Sequence, residues 1–129
     1  MKDGFGVRIL SFGVTTVLGL LAASSAQAAP AVDGAGLYKS RCQACHSIAP
    51  AASNGVGPNL AGVFGRKAAA APRYTYSPAL KASKVVWTAQ ALNSWLIRPQ
   101  ALVPGTKMMI AGIANPAERD ALIAFLKAH

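Results

Sequence analysis

Apolar and polar positions divide the chain into an apolar leader and a longer region of short helical patterns. Lys2 and Arg8 precede an apolar run at residues 9–23, and small residues close this segment. A charged start, a short apolar run and a small-residue end are typical of a secretory signal peptide. The run is shorter than the roughly 20 residues that a membrane-spanning helix needs. The pattern therefore predicts a cleavable signal peptide at residues 1–28 and one domain at residues 29–129.

Within this domain, four stretches combine helical spacing with a residue that can cap a helix. They cover about residues 36–41, 78–83, 89–98 and the segment from 116 onward, after Asp33, Ser77, Thr88 and Asn115. Pro99 ends the third stretch, and Glu118 follows Asn115 by three residues, as in a capping box. The apolar residues that we expect to be buried are Leu92, Trp95, Leu96, Leu122, Phe125 and Leu126.

Residues 47–76 show little periodicity and contain several glycines and prolines. A structureless loop of that length in a small domain usually carries function or wraps a ligand. Strand patterns are absent from the sequence. We therefore predict an all-α fold with a long loop that serves a binding site.

The formal charge of the chain is +9, and removal of the leader, which carries Lys2, Arg8 and Asp3, leaves +8. Such an excess suits docking on acidic protein surfaces. Nucleic acid is disfavoured as a partner, because an exported protein rarely meets it and no basic helix or aromatic-interleaved basic patch is present.

Cys42, Cys45 and His46 form the most informative motif, which reads CQACH. Two thiols three residues apart at the end of a helix face the same side, and each can add to a haem vinyl group as a thioether. The adjacent imidazole can then bind the iron, and an exported protein is the expected context for this chemistry. The motif therefore predicts one covalently attached haem c, with Cys42 and Cys45 as its attachment points and His46 as an iron ligand.

Three other interpretations of the cysteines each lack a component. A structural zinc site needs four ligands, and His129 is the only further histidine. A thioredoxin-like redox pair would lie in a βαβ unit. A simple disulfide leaves His46 and the long loop unexplained.

A haem iron with one histidine needs either a sixth ligand or an open position. Met108 and Met109 follow the turn sequence Pro104-Gly105, so at least one of them lies on a loop. On position alone, a loop methionine fills a gap at least as often as it binds a metal. As a ligand it would raise the reduction potential and keep substrates from the iron.

Several further segments follow a known arrangement: Gly57–Leu60, Phe64–Lys67, Tyr74–Ser77, Trp87 and Pro104–Ile113. With them, the chain from about Gly34 to Lys127 resembles the class I c-type cytochromes, in their soluble mitochondrial and bacterial electron-carrier branch. The resemblance implies that fold, with about four to five short helices and long loops wrapped around one covalently bound haem. It also implies a crossing of the first and last helices at Gly34 and Phe125.

The resemblance implies roles for residues around the haem. Met108, which directly follows Pro104–Lys107, is implied as the sixth ligand, and Met109 as its neighbour. The Pro58 carbonyl is implied as the acceptor for the second imidazole N–H, which would fix the tautomer of His46.

The resemblance also places the counterparts of Arg66, Tyr76 and Trp87 near the haem propionates. Without it, Arg66 would be read as surface charge and Trp87 as core. Two residues depart from the family pattern. Trp95 replaces a tyrosine near the methionine sulfur, and Leu80 replaces a polar residue under the haem.

The implied function is that of a soluble periplasmic electron carrier, not an enzyme, which shuttles single electrons between membrane-bound or periplasmic redox complexes. Expected partners are acidic-surfaced proteins such as a quinol-oxidising cytochrome bc-type complex, a terminal oxidase, a photosynthetic reaction centre or a periplasmic dehydrogenase. The protein is expected to be a monomer without stable membrane insertion. Arg41 and Lys107 match basic residues near the exposed haem edge.

Two alternative functions stay open at this point. One is a five-coordinate haem enzyme or gas-binding protein with peroxidase-like activity, and the other is a haem subunit dedicated to one periplasmic dehydrogenase.

Overall fold

The computed structural model describes residues 31–129, so the expected signal peptide lies outside the described residues. Five helices form the described part: α1 (Gly34–Arg41), α2 (Pro78–Ala82), α3 (Ala89–Ile97), α4 (Pro99–Leu102) and α5 (Pro116–Lys127). Across residues 31–129, extended segments pair only in one isolated antiparallel bridge between Lys67 and Val86. The all-α prediction is confirmed. Within the same range, no helix has both the length and the apolar character to cross a membrane.

The four predicted capping residues each accept a backbone N–H at the start of a helix. The pairs are Ala35 to Asp33 at 3.0 Å, Leu80 to Ser77 at 3.1 Å, Ala91 to Thr88 at 3.2 Å and Ala117 to Asn115 at 2.9 Å. Glu118 was expected to reach back to Asn115, but its carboxylate lies 3.9 Å from the Arg41 guanidinium instead. An exposed carboxylate can exchange one such partner for another at little cost.

Helix α4 was not among the helices predicted from the sequence. Pro99 does end α3, but it also occupies the first position of the next helix, where its missing N–H costs nothing. Its carbonyl accepts from the Val103 amide at 2.9 Å, which closes the four-residue helix. The extended backbone of Arg98 separates α3 from α4, and the segment of residues 103–114 follows α4.

Helices α1 and α5 cross at Gly34. A Cβ placed on Gly34 would overlap the Ala121 carbonyl and touch the Phe125 side chain, so only glycine allows this approach. Next to the crossing, the Tyr38 and Phe125 rings stack with their centroids 5.3 Å apart. Leu122 is completely buried there. The resemblance-based expectation for Gly34 and Phe125 is thus confirmed.

Arg119 on α5 is buried and ties three segments together. Its Nε donates to Asn93 on α3 at 2.6 Å, and its Nη1 donates to the carbonyls of Ile113 and Ala114, both at 2.8 Å. The Ile113 amide in turn donates to the Leu96 carbonyl at 2.8 Å. The end of the segment 103–114 is therefore fixed to both α3 and α5.

We expect Gly34→Ala to lower the free energy of unfolding by about 1–3 kcal/mol, because the methyl group meets a backbone carbonyl that cannot rotate away. Guanidinium titration of the purified protein measures this loss. Ala35→Leu, at an exposed position of the same helix, should change it by no more than about 0.5 kcal/mol. Equal effects of the two substitutions would contradict the close helix crossing.

Candidate functional site

A cavity of about 820 Å³ lies between α1, the long loop, α3 and the segment 103–114. Its lining is mainly apolar, with a few convergent polar groups, which is typical of a cofactor site. All nine residues singled out from the sequence line it: Cys42, Cys45, His46, Pro58, Arg66, Tyr76, Trp87, Trp95 and Met108. The fold thus brings together residues that lie up to 66 positions apart in the chain.

The two cysteines lie on a turn that continues α1. The Cys42 amide donates to the Tyr38 carbonyl at 2.8 Å, and the amides of Cys45 and His46 both donate to the Cys42 carbonyl at 3.0 and 2.9 Å. Both thiols are free, Cys42 half-buried and Cys45 exposed. Burial raises the pKa of the Cys42 thiol, and the Arg41 charge partly opposes the rise. The turn therefore presents two unpaired sulfurs at the edge of the cavity.

His46 is held on two sides. Its Nδ1 lies 2.7 Å from the Pro58 carbonyl, and its own carbonyl accepts from the Tyr38 hydroxyl at 2.6 Å. Gly57 leaves room for the ring, since a Cβ there would overlap the imidazole. Burial lowers the pKa of His46, with the Pro58 contact acting against it, so the ring is neutral near pH 7. A neutral ring that donates through Nδ1 leaves Nε2 as a free metal ligand.

Met108 contributes a thioether to the cavity wall. The Trp95 indole Nε1 lies 3.1 Å from the Met108 sulfur, and the Trp95 ring meets Trp87 edge-on with centroids 5.0 Å apart. Met109 is 78% exposed. The Trp95 indole thus contacts the Met108 sulfur, near which the family pattern has a tyrosine. Of the two methionines, Met108 is the one whose sulfur is held by a buried donor.

Arg66 and Tyr76 supply unused hydrogen-bond donors. The Nη1 and Nη2 groups of Arg66 donate to the carbonyls of Ala61 and Asn59 at 2.9 and 3.1 Å, whereas its Nε is buried and has no partner among the described residues. Tyr76 accepts from the Ala71 amide at 3.1 Å, which leaves its hydroxyl proton free to donate. Burial raises the pKa of Tyr76 and keeps this proton in place. Such donors suit an anionic ligand group in the cavity.

These observations fit a haem with two propionates. Two free thiols, a neutral imidazole and a thioether match covalent attachment and axial ligation, and the unpaired Arg66 Nε and the Tyr76 proton match the carboxylates. Residues 31–129 hold no group of three or more His, Cys, Asp or Glu that could hold a metal ion among themselves.

Comparison with known proteins agrees with this site. The family model described as Cytochrome c matches residues 31–129. A cytochrome c2 from Agrobacterium tumefaciens (strain II Chrys) is 48% identical over 89 residues, covering 67% of this chain and 80% of that protein. A cytochrome c2 from Blastochloris viridis is 42% identical over 121 residues, covering 94% and 93%. The chain therefore belongs to the cytochrome c family, as a class I c-type cytochrome.

A solved structure supports the same assignment. Cytochrome cH from Methylobacterium extorquens matches with a TM-score of 0.69 and 43% identity, covering 74% of this chain and 95% of that one. The predicted class I fold and the predicted cofactor, covalently bound haem c, are confirmed by family membership. Members of this family carry electrons and are generally not enzymes.

The two basic residues that matched a docking edge are both engaged within the protein. Arg41 pairs with Glu118 at 3.9 Å, and the Lys107 ammonium donates to the Thr75 carbonyl at 3.0 Å. Both remain exposed and line the cavity together with Lys67. Their charge therefore stays at the rim although their side chains are not free.

Three residues that shape the site were missed in the sequence. Tyr38 was counted only as part of a helix, and neither Gln100 nor Arg119 was singled out. Each acts through a contact with a distant backbone carbonyl. A buried arginine gives no periodic signal, so Arg119 in particular could be found only from coordinates.

We expect Gly57→Val to displace the His46 ring, because the new side chain would occupy the position of the imidazole. The purified variant should carry less than about half of the wild-type haem per protein, as measured by the ratio of Soret to protein absorbance. Ala51→Val, at an exposed position of the same loop that does not line the cavity, should load normally. Full loading of Gly57→Val would show that the imidazole does not need this space.

Proposed function

We propose that this protein carries single electrons on a haem attached at Cys42 and Cys45, whose iron His46 and Met108 would hold. The observation that carries the proposal is that the His46 imidazole and the Met108 sulfur are each held by a hydrogen-bond partner within the same cavity. The Pro58 carbonyl orients His46, and the Trp95 indole directs the Met108 sulfur, within one cavity. When bound, the haem supplies an iron that alternates between two oxidation states.

The residues around the iron would restrict the haem to electron transfer. Two side-chain ligands leave no iron position for substrate, which argues against the five-coordinate enzyme or gas-binding alternative. Because each ligand is positioned by a hydrogen bond with a buried or half-buried group, His46 as donor to Pro58 and Met108 as acceptor from Trp95, little rearrangement would accompany electron transfer. Arg66, Tyr76 and Trp87 would stabilise the propionates, the first two through the donors described above and Trp87 by closing the cavity wall.

We expect Met108→Ala to abolish the weak sulfur-to-iron charge-transfer band of the ferric protein, because its sulfur is the one that the buried Trp95 indole holds at the cavity wall. Met109→Ala should retain the band, since the Met109 side chain is mostly in solvent. Optical spectra of both purified variants test this. Loss of the band in Met109→Ala alone would reverse the ligand assignment, and a high-spin wild-type spectrum would favour the five-coordinate alternative.

We further propose that residues 1–28 are a signal peptide and that the mature protein, residues 29–129, works in the periplasm. The order of charged, apolar and small residues supports this. The similarity to the Blastochloris viridis cytochrome c2 covers 94% of this chain and therefore extends into the leader. Haem attachment to paired thiols also suits an exported protein.

Partners would be acidic redox proteins that approach the edge of the cavity. No Asp or Glu lines the cavity in the described residues, whereas Arg41, Lys67 and Lys107 do. Candidate partners are a cytochrome bc-type complex, a terminal oxidase, a reaction centre or a periplasmic dehydrogenase. The alternative function, a haem subunit dedicated to one periplasmic dehydrogenase, differs from this proposal only in the identity of the partner.

We expect the second-order rate of electron transfer to an acidic partner protein to fall steeply as ionic strength rises, because salt screens the attraction that steers encounter. Stopped-flow kinetics between about 10 and 150 mM salt, where the screening length falls from roughly 30 to 8 Å, measure this. Lys107→Gln should lower the rate more than Lys127→Gln, whose charge lies on α5 beside the Phe64 ring. Rates that do not respond to salt would refute docking at the basic rim.

A further inference from the structure

Gln100 lies on α4 at a rigid point next to the segment that carries Met108. Pro99, one residue earlier, is fully buried, and the four-residue helix is closed by its bond to Val103. Gln100 itself is half-buried. Its side chain therefore starts from a fixed backbone and loses little freedom when it makes a contact.

One side-chain amide makes three contacts with this segment. Its Oε1 accepts from the Gly105 amide at 3.2 Å, and its Nε2 donates to the Thr106 carbonyl at 2.6 Å and to the Met109 sulfur at 3.1 Å. The three contacts lie on both sides of Met108 in the chain. The amide oxygen accepts from an N–H and the amide nitrogen donates to a carbonyl, so both polar atoms of the Gln100 side chain have a hydrogen-bond partner.

The segment needs such support because its backbone supplies little. Thr106 closes a turn by donating to the Val103 carbonyl at 3.1 Å, and the next amide to bond another main-chain group among the described residues is that of Ile113. Gly105 adopts a positive φ of +87°, a conformation that costs other residues energy. Residues 107–112 are consequently held by side chains rather than by a helix or a strand.

Three side-chain contacts hold this segment. The Trp95 indole contacts the Met108 sulfur, and the Lys107 ammonium donates to the Thr75 carbonyl. The Gln100 amide contacts the backbone before Met108 and the Met109 sulfur after it. Of these, Gln100 alone contacts residues on both sides of Met108. Its removal should therefore release the segment without removing the ligand or its indole partner.

We propose that Gln100 is a positioning residue that keeps the Met108 sulfur on the iron by holding residues 105–109 in place. The inference rests on the proposed ligation by Met108. Gln100 does not touch the iron ligands, and it acts through Gly105, Thr106 and Met109. The exposed Met109 thereby has a structural use, since its sulfur is a contact point for the Gln100 amide.

Imidazole binding to the ferric protein measures how firmly residues 105–109 are held, because added imidazole can bind the iron only when the Met108 sulfur has detached from it. Its apparent affinity equals the intrinsic affinity multiplied by the fraction of molecules with Met108 detached. A variant that weakens the hold on the segment raises this fraction and the affinity in proportion.

The test compares Gln100→Leu and Gln100→Glu with Gln90→Leu and Gln90→Glu, since Gln90 is exposed on α3. Leucine loses all three contacts, whereas glutamate keeps only an acceptor for Gly105. We expect imidazole to bind about tenfold more tightly to Gln100→Leu, which corresponds to about 1.4 kcal/mol. Gln100→Glu should bind several-fold more tightly than Gln90→Glu, and the Gln90 variants should match the wild type within twofold.

Gly34→Ala serves as a second control, because it lowers global stability at the α1–α5 crossing without touching the segment. It should leave imidazole affinity unchanged while lowering the guanidinium midpoint. If the Gln100 variants bind imidazole no more tightly than the wild type, or if Gly34→Ala raises the affinity as much, the positioning role is refuted. A wild-type spectrum without the sulfur-to-iron band would instead refute the proposed ligation itself.

Discussion

The contact between His46 Nδ1 and the Pro58 carbonyl is the interaction on which the rest of the site depends. It joins the end of α1 to a loop that has no regular structure of its own, and it leaves Nε2 as the free atom of the ring. Tyr38 supports it from the helix side by donating to the His46 carbonyl. His46 is therefore held between the α1–α5 crossing, where Tyr38 stacks on Phe125, and the Pro58 carbonyl.

The loops around the cavity are held in the same way, by polar side chains that bond backbone groups elsewhere in the same loop. Asn59 donates to the carbonyls of Ala49 and Ala52 and accepts from Ala61, and Asn54 accepts from the Asn59 amide. A domain of this size with five short helices cannot satisfy its backbone through secondary structure alone. Side chains take over that function, and the loops gain fixed positions at which a large planar cofactor can be enclosed.

The fold class, the helix caps and the cofactor were all predictable because each depends on local spacing. Asp33, Ser77, Thr88 and Asn115 act on residues two or three positions away, and the cysteine motif spans a single turn. The sequence could not show that Glu118 turns to Arg41, because the choice between two weak partners depends on where α1 lies. Nor could it show how Gln100 and Arg119 are used, since both bond carbonyls whose positions only the tertiary structure defines.

The distribution of charge follows from the same architecture. The three acidic residues among residues 31–129 are Asp33, Glu118 and Asp120, which cap α1 or lie on α5, and none of them lines the cavity. The acidic side chains of the described residues thus lie at the two crossing helices, which also carry Lys39, Arg119 and Lys127, while Arg41, Lys67 and Lys107 line the cavity. Because the rim of the cavity carries basic side chains and, among the described residues, no acidic ones, an acidic partner would be attracted to this face during encounter. The helix crossing therefore keeps the acidic side chains out of the cavity, and among residues 31–129 only the Arg41–Glu118 pair brings one of them to a basic residue of the rim.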